Sequence, residues 1–181
     1  EKDYQKPILE VGNLVKAARA QDWKVLNNIL EYIGKPDRDE VIATSLIRLL
    51  RASDSQKQWP VLIGALQKDP SPLVRSASAD VLGANLTDSS LKVLLDATRD
   101  EYRLVRVRAA ASLARVPAEM LRDSDRRALT AATAELKAAL GARPDDYVSH
   151  YNLGNFHMDR RDYDQAISAF KESIKLRPDY L

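Results

Sequence analysis

Asp69-Pro70-Ser71-Pro72-Leu73-Val74-Arg75 and, thirty-one residues on, Asp100-Glu101-Tyr102-Arg103-Leu104-Val105-Arg106 are two copies of one pattern. Aspartate, leucine, valine and arginine recur in step. Beyond them Ala79 falls opposite Ala110 and Leu82 opposite Leu113. Self-similarity at a fixed period marks repeat architectures, in which each unit buries its apolar face only against its neighbours.

Working outward from this pair, the whole chain reads as helices. Apolar residues recur at three- and four-residue intervals, as in Leu14, Ala17, Ala18 and then Val25, Leu26, Ile29, Leu30, Ile33. Strand signals are missing: there is no sustained alternation, no Asn-Gly or Asp-Gly turn, and aromatics make up 6%. Asp22 opens one segment. Gly34, two places before Pro36, reads as its left-handed stop. Asp37, with Glu40 three residues later, reads as a capping box before Val41 and Ile42. The pattern predicts helices over 8–20, 22–33, 38–51, 58–67, 71–84, 89–99, 102–115, 123–141, 146–160 and 163–176. Short connections make consecutive helices antiparallel neighbours. The expected fold class is therefore all-α, an α-solenoid of antiparallel helical hairpins.

Composition bounds the chemistry. The chain has 181 residues, 45% hydrophobic and 30% charged, with 28 Lys+Arg against 26 Asp+Glu. These are the proportions of a folded domain. With no cysteine the sequence holds no disulfide, thiolate metal site, iron–sulfur cluster, CxxCH haem attachment or cysteine nucleophile. A net charge of +2 is too small to imply a polyanionic partner. The longest apolar run, about Val61-Leu62-Ile63-Gly64-Ala65-Leu66, is far short of the roughly 18–20 residues that cross a bilayer, so no membrane insertion is expected. The sequence starts at Glu1 and shows no signal-peptide pattern, which is the expectation for a piece of a longer chain or one whose leader is gone.

The Asp-to-Arg spacing of six, with Val just before the Arg, resembles the HEAT repeat, in the short form also seen in phycobilisome-lyase-like proteins. The resemblance implies a helical hairpin per repeat, Asp at the turn and Arg one turn into the second helix. It also implies a ladder of Asp69, Arg75, Asp100 and Arg106 that fixes repeat-to-repeat geometry and does no chemistry. Residues 22–33 and 38–51 share the hairpin layout, with Leu50 lying 32 residues before Leu82, but Ala43 stands where the Arg belongs. This unit reads as a degenerate amino-terminal cap.

A second period of 34 follows. His150-x2-Leu153-Gly154-x2-His157, Ala166-x3-Phe170 and Pro178 lie on the tetratricopeptide (TPR) spacing. Tyr151-Asn152-Leu153-Gly154-Asn155 and Asp162-Tyr163-Asp164-Gln165-Ala166-Ile167 are close to that family's wording. Gly154 and Ala166 would let the two helices approach, with Phe170 between them. His150 and His157 depart from the usual Trp and Tyr. Thirty-four residues upstream of Ala166, Phe170, Ile174 and Pro178 stand Ala132, Leu136, Leu140 and Pro144, so 123–141 reads as the second helix of an earlier TPR. The first half of that repeat is missing, since Glu119 and Met120 replace Leu153 and Gly154. The expected organisation is 1–117 HEAT-like and 118–181 TPR, changing over around Pro117. A HEAT array running into TPRs is also similar to the carboxy-terminal tail of some bacterial multihaem c-type cytochromes. That likeness implies a periplasmic compartment and a haem-bearing part upstream; without it the expected compartment is cytoplasmic.

Candidate sites follow from this frame. His150 and His157 share a helix face and invite a metal, but they occupy packing positions, and neither is followed by Glu as the HEAT-like di-iron hydroxylases require. There is no Gly-x-Ser-x-Gly elbow and no glycine-rich phosphate loop. Asp145-Asp146 and Asp37-x-Asp39-Glu40 sit at helix starts, where carboxylates favour the macrodipole. No catalytic, cofactor-binding or metal residue is assigned and no enzyme activity is expected. Between 99 and 127 stand Arg99, Arg103, Arg106, Arg108, Arg115, Arg122, Arg126 and Arg127, against Asp100, Glu101, Glu119, Asp123 and Asp125. This segment is the basis of the alternative reading, a nucleic-acid-binding protein, which the mixed charge disfavours.

The favoured reading is a protein-interaction scaffold. Its partner is a protein or peptide held on the inner face of the first TPR helix by Val148, Tyr151, Asn152, Asn155 and Met158, with apolar anchors for affinity and amides for the peptide backbone. Tyr151 stands where the carboxylate-clamp TPRs carry Lys, so a carboxy-terminal ligand is not expected. Ile167, Phe170 and Ile174 in 163–176 have no later helix to cover them, which predicts further repeats in the parent chain or self-association through this helix.

Overall fold

The computed structural model describes residues 5–180; residues 1–4 and 181, at the ends of the two expected segments, lie outside the described residues. Among the described residues there are ten α-helices: α1 (Gln5–Arg19), α2 (Leu26–Gly34), α3 (Glu40–Leu49), α4 (Gln58–Lys68), α5 (Pro72–Leu82), α6 (Asp88–Ala97), α7 (Arg103–Ser112), α8 (Asp123–Gly141), α9 (Tyr147–Asp159) and α10 (Tyr163–Leu176). Single 3-10 turns occur at Trp23–Val25, Leu50–Ala52, Ala118–Met120 and Pro178–Tyr180. No strand is present among the described residues.

The start of α3 follows directly from its capping residue. Asp39 caps α3, its Oδ1 accepting from Val41 N (2.8 Å) and Ile42 N (2.9 Å). Asp37, the residue expected there, lies two positions too early, and Glu40 begins the helix instead of closing a capping box. Gly34 likewise does not take the left-handed conformation, since no described glycine has positive φ. Helix α2 stops because Lys35 is extended (φ −69°, ψ 138°), as steric conflict with the following proline ring dictates.

The helices stack in two layers. α2, α4 and α6 pack in sequence in one, α3, α5 and α7 in the other, with α4–α5 and α6–α7 as hairpins across them. α1 packs on α2 and α3 at one end. At the other, α8 packs on both α6 and α7, α9 on α8, and α10 on α9. This is an α-solenoid. Its accessible surface of 11,337 Å² exceeds the value of about 8,800 Å² expected for a compact 20.3 kDa monomer, as an elongated stack requires.

The period of 31 is a packing period. Val74 and Val105, Ala79 and Ala110, and Leu82 and Leu113 are all buried, each pair at corresponding positions of successive hairpins. α5 is enclosed by α3, α4 and α7 and is buried nearly all round, which its small residues Ser76, Ala77, Ser78 and Ala79 permit. The closest approach falls at its end. A β-carbon on Gly83 would lie 2.6 Å from Ser112 Cβ, and Ser112 Oγ donates to Ala79 O across the same gap (2.9 Å).

Candidate functional site

Near the end of the stack, the start of α9 is fixed by one carboxylate. Asp146 caps α9, accepting from Ser149 Oγ (2.6 Å), Ser149 N (3.0 Å) and Val148 N (3.3 Å). These bonds, the Ser149 hydroxyl foremost, hold its carboxyl below the ordinary aspartate value. α9 then packs on α10 through Gly154. A β-carbon there would stand 2.4 Å from Phe170 Cε1, and Ala166 is fully buried in the same contact, so the hairpin closes only with small residues.

The α9 face expected to bind a partner is exposed: Val148, Tyr151 and Met158 are between 41% and 46% accessible, and Asn152 and Asn155 are open to solvent. The structure divides these five residues. Asn152 and Asn155 line a groove of about 300 Å³ with Arg108 of α7, Leu136 and Leu140 of α8, and Phe156. Tyr151 instead leans toward α10, its ring centroid 5.8 Å from that of Phe170, and neither Val148 nor Met158 lines the groove. Asp159, which sequence reasoning did not single out, borders this groove and two others. Arg115 donates to it at 2.7 Å. Further along the α3–α5–α7 layer, Asp80 pairs with both Arg51 (2.8 Å) and Arg108 (3.2 Å). The grooved face is thus polar and internally compensated, with apolar patches between the charges.

The ladder residues meet as follows. Arg75 Nε and Nη2 donate to Asp100 Oδ2 (2.8 Å) and Oδ1 (3.0 Å), a bidentate pair with both side chains nearly buried. Its Nη1 donates to the carbonyls of Asp69 (2.8 Å) and Pro70 (3.2 Å). Arg106 repeats this with the carbonyls of Asp100 (2.8 Å) and Glu101 (3.0 Å). Asp69 and Asp100 each accept from the backbone N–H two residues on, those of Ser71 (3.0 Å) and Tyr102 (2.8 Å). Asp100 holds the Arg75 guanidinium above its ordinary value against the opposing effect of burial.

Two ladder members were not legible from the spacing. Arg38 reaches the Asp69 carboxylate from the turn before α3, and Glu135 of α8 takes the Arg106 guanidinium (2.9 Å). Arg38 precedes Arg75 by 37 residues and Glu135 follows Asp100 by 35, so neither lies on the 31-residue period, nor on the spacing of 32 that pointed to Ala43.

His157 is buried on α9, edge-on to Phe156 (5.6 Å), with Nδ1 3.5 Å from Asp162 Oδ2. The half-buried His150 places Nε2 2.9 Å from Pro144 O. Both are packing positions, and no group of three His, Asp or Glu suited to a metal occurs among the described residues. No described helix is long and apolar enough to cross a membrane.

Of the eight arginines in 99–127, six are engaged within the molecule: Arg99 with Asp125, Arg103 and Arg106 with Glu135, Arg108 with Asp80, Arg115 with Asp159, and Arg126 with Asp123. These carboxylates offset much of the positive charge of the segment.

With this geometry in place, comparison with known families gives two matches. HEAT repeats match residues 37–114 and 59–150, and a tetratricopeptide repeat matches residues 147–180. No curated protein and no solved structure matches. Neither family match carries any support for the multihaem-cytochrome likeness. HEAT and TPR repeats generally mediate protein–protein interaction.

Proposed function

The chain belongs to the HEAT-repeat family and carries a tetratricopeptide repeat at 147–180, and from that premise we propose that it is a non-catalytic scaffold that holds a protein or peptide partner. Residues 1–117 form the HEAT-like segment and 118–181 the TPR segment, with Pro117 at the changeover. The observation that carries the reading is the groove between α7, α8 and α9, where the Asn152 and Asn155 amides stand beside the apolar Leu136, Leu140 and Phe156. Amides able to pair with a peptide backbone next to apolar pockets are the recurring pattern of peptide recognition. The ladder of Asp69, Arg75, Asp100 and Arg106 sets the spacing of successive hairpins that form this face.

Selection of peptides from a displayed library against the full chain tests the reading. The expected result is a set of micromolar binders whose affinity drops about tenfold in Asn152→Ala/Asn155→Ala, the loss of one or two buried hydrogen bonds. Failure to select any binder, or binders indifferent to both amides, overturns it. Within the reading, the segment is a module of a larger polypeptide. A CxxCH-rich flanking gene sequence would put it with multihaem cytochromes in the periplasm, and a flank without that motif removes this context.

A further inference from the structure

We infer that a second groove, where the two repeat types meet, takes an acidic, partly apolar peptide segment of the partner. This rests on the scaffold reading and names its partner's chemistry. The groove has a volume of about 450 Å³ and lies between the end of α7, the 3-10 turn Ala118–Met120, the first half of α8 and the end of α9. Its floor is apolar, with Val116, Leu121 and Leu129. Around them stand four arginines, Arg115, Arg126, Arg160 and Arg161, against two carboxylates, Glu119 and Asp159.

The arginines differ in how firmly the molecule holds them. Arg115 is committed to Asp159 at 2.7 Å. Arg126 pairs with Asp123, whose side chain is 77% exposed, on its own helix. Arg160 reaches Asp162 at 3.5 Å. Among the described residues Arg161 makes no ion pair or side-chain hydrogen bond, and its backbone is left-handed (φ 61°), where glycine is the favoured residue. The helix ending asks only for that backbone: Asp162 N donates to His157 O (2.9 Å) and Arg161 N to Met158 O (3.0 Å). No described residue uses the guanidinium. Exposed ion pairs of this kind are weak, and bidentate bonding to a ligand's carboxylates can replace them, while the apolar floor accommodates a leucine-sized side chain between the charges. A nucleic acid fits less well, since it gains nothing from the floor and wants roughly 6–10 phosphate contacts.

The test uses the full chain and a fluorescein-labelled dodecapeptide of four Glu-Glu-Leu units, with Gln-Gln-Leu and Lys-Lys-Leu counterparts, read by anisotropy. The acidic peptide is expected to bind at least tenfold tighter than either counterpart at about 50 mM salt and to weaken several-fold at about 300 mM, as screening requires. Arg161→Gly should weaken it about three- to fivefold while the melting temperature holds or rises by about 2 °C, because the backbone strain is relieved. Arg126→Gln/Arg161→Gly should weaken it about tenfold. Equal binding of the Gln peptide, indifference to Arg161→Gly, or stronger competition by a twelve-residue oligothymidylate overturns the inference. Selected peptides that depend on Asn152 and Asn155 yet show no preference for acid would sink this inference and leave the scaffold reading standing. Absence of all peptide binders would sink both.

Discussion

Replacing Arg75 by alanine probes the joint between successive repeats. The Arg75 and Asp100 side chains are only 9% and 13% exposed, so the substitution leaves a buried carboxylate with Tyr102 N as its remaining described donor. It also removes two bonds to the carbonyls of Asp69 and Pro70 and the placement of the guanidinium 5.3 Å over the Tyr102 ring. Breaking a buried ion pair by deleting one partner costs about 3–5 kcal/mol. For a chain of this size that lowers the melting temperature by about 6–20 °C. Asp100→Ala should cost a similar amount. The double variant should fall short of the sum by about 1–3 kcal/mol, since the second deletion removes a charge already stranded. Lys35→Ala serves as the control, because the Lys35–Glu31 pair is 52% and 71% exposed and should shift stability by no more than about 0.5 kcal/mol. Urea unfolding followed by circular dichroism at 222 nm reads all four. A loss below about 1 kcal/mol for Arg75→Ala, or strict additivity with Asp100→Ala, would refute the claim that this pair fixes the spacing of successive hairpins.

Other expectations concern the carboxy-terminal hairpin and the stack. Gly154→Ala should destabilise the α9–α10 hairpin by about 1–3 kcal/mol, because Phe170 must move; Phe170→Leu in the same chain should restore part of the loss, and thermal melts decide. Gly83→Ala should act similarly through Ser112, whose Cβ would stand 2.6 Å from the added carbon, and added Ser112→Gly, which removes that atom, should soften it. Asp146 has a folded pKa below its unfolded value. Its contribution to the α9 start is therefore full above the ordinary aspartate range near about 3.9 and lost as the pH falls through the lower folded value. Amide exchange at Val148 and Ser149 should accelerate there, and Asp146→Ala should abolish the pH dependence. Tyr163, Ile167 and Ile174 on α10 are 41–55% exposed; if they mediate self-association, light scattering should show mass rising with concentration and Ile167→Lys should return it to the monomer.

The sequence carried the helices well because each needed only a face, a cap and a stop. The predicted 123–141 and 163–176 coincide with α8 and α10, whose starts carry acidic residues. The misplaced details were those in which two neighbouring residues could do the same job. Asp37 and Asp39 both suit a cap, and the fold uses the one whose carboxylate reaches Val41 and Ile42. The ladder was legible where the period held and illegible at its ends, since Arg38 and Glu135 come from a turn and from a helix outside the register. The TPR resemblance implied an inner face on α9, but the division of its five residues was not legible, because the approach of Tyr151 to Phe170 and the place of Asn155 in the groove beside α7 and α8 depend on how α8 and α10 flank that helix.

Arg75 draws its counter-ion from the hairpin after its own, and Arg106 draws its from α8, on the far side of Pro117. Each unit is thus electrically incomplete until its successor is present. A chain cut anywhere between 76 and 99, or between 107 and 134, would abandon a guanidinium whose neutraliser has been removed, so dissection into autonomous pieces has to respect these overlaps.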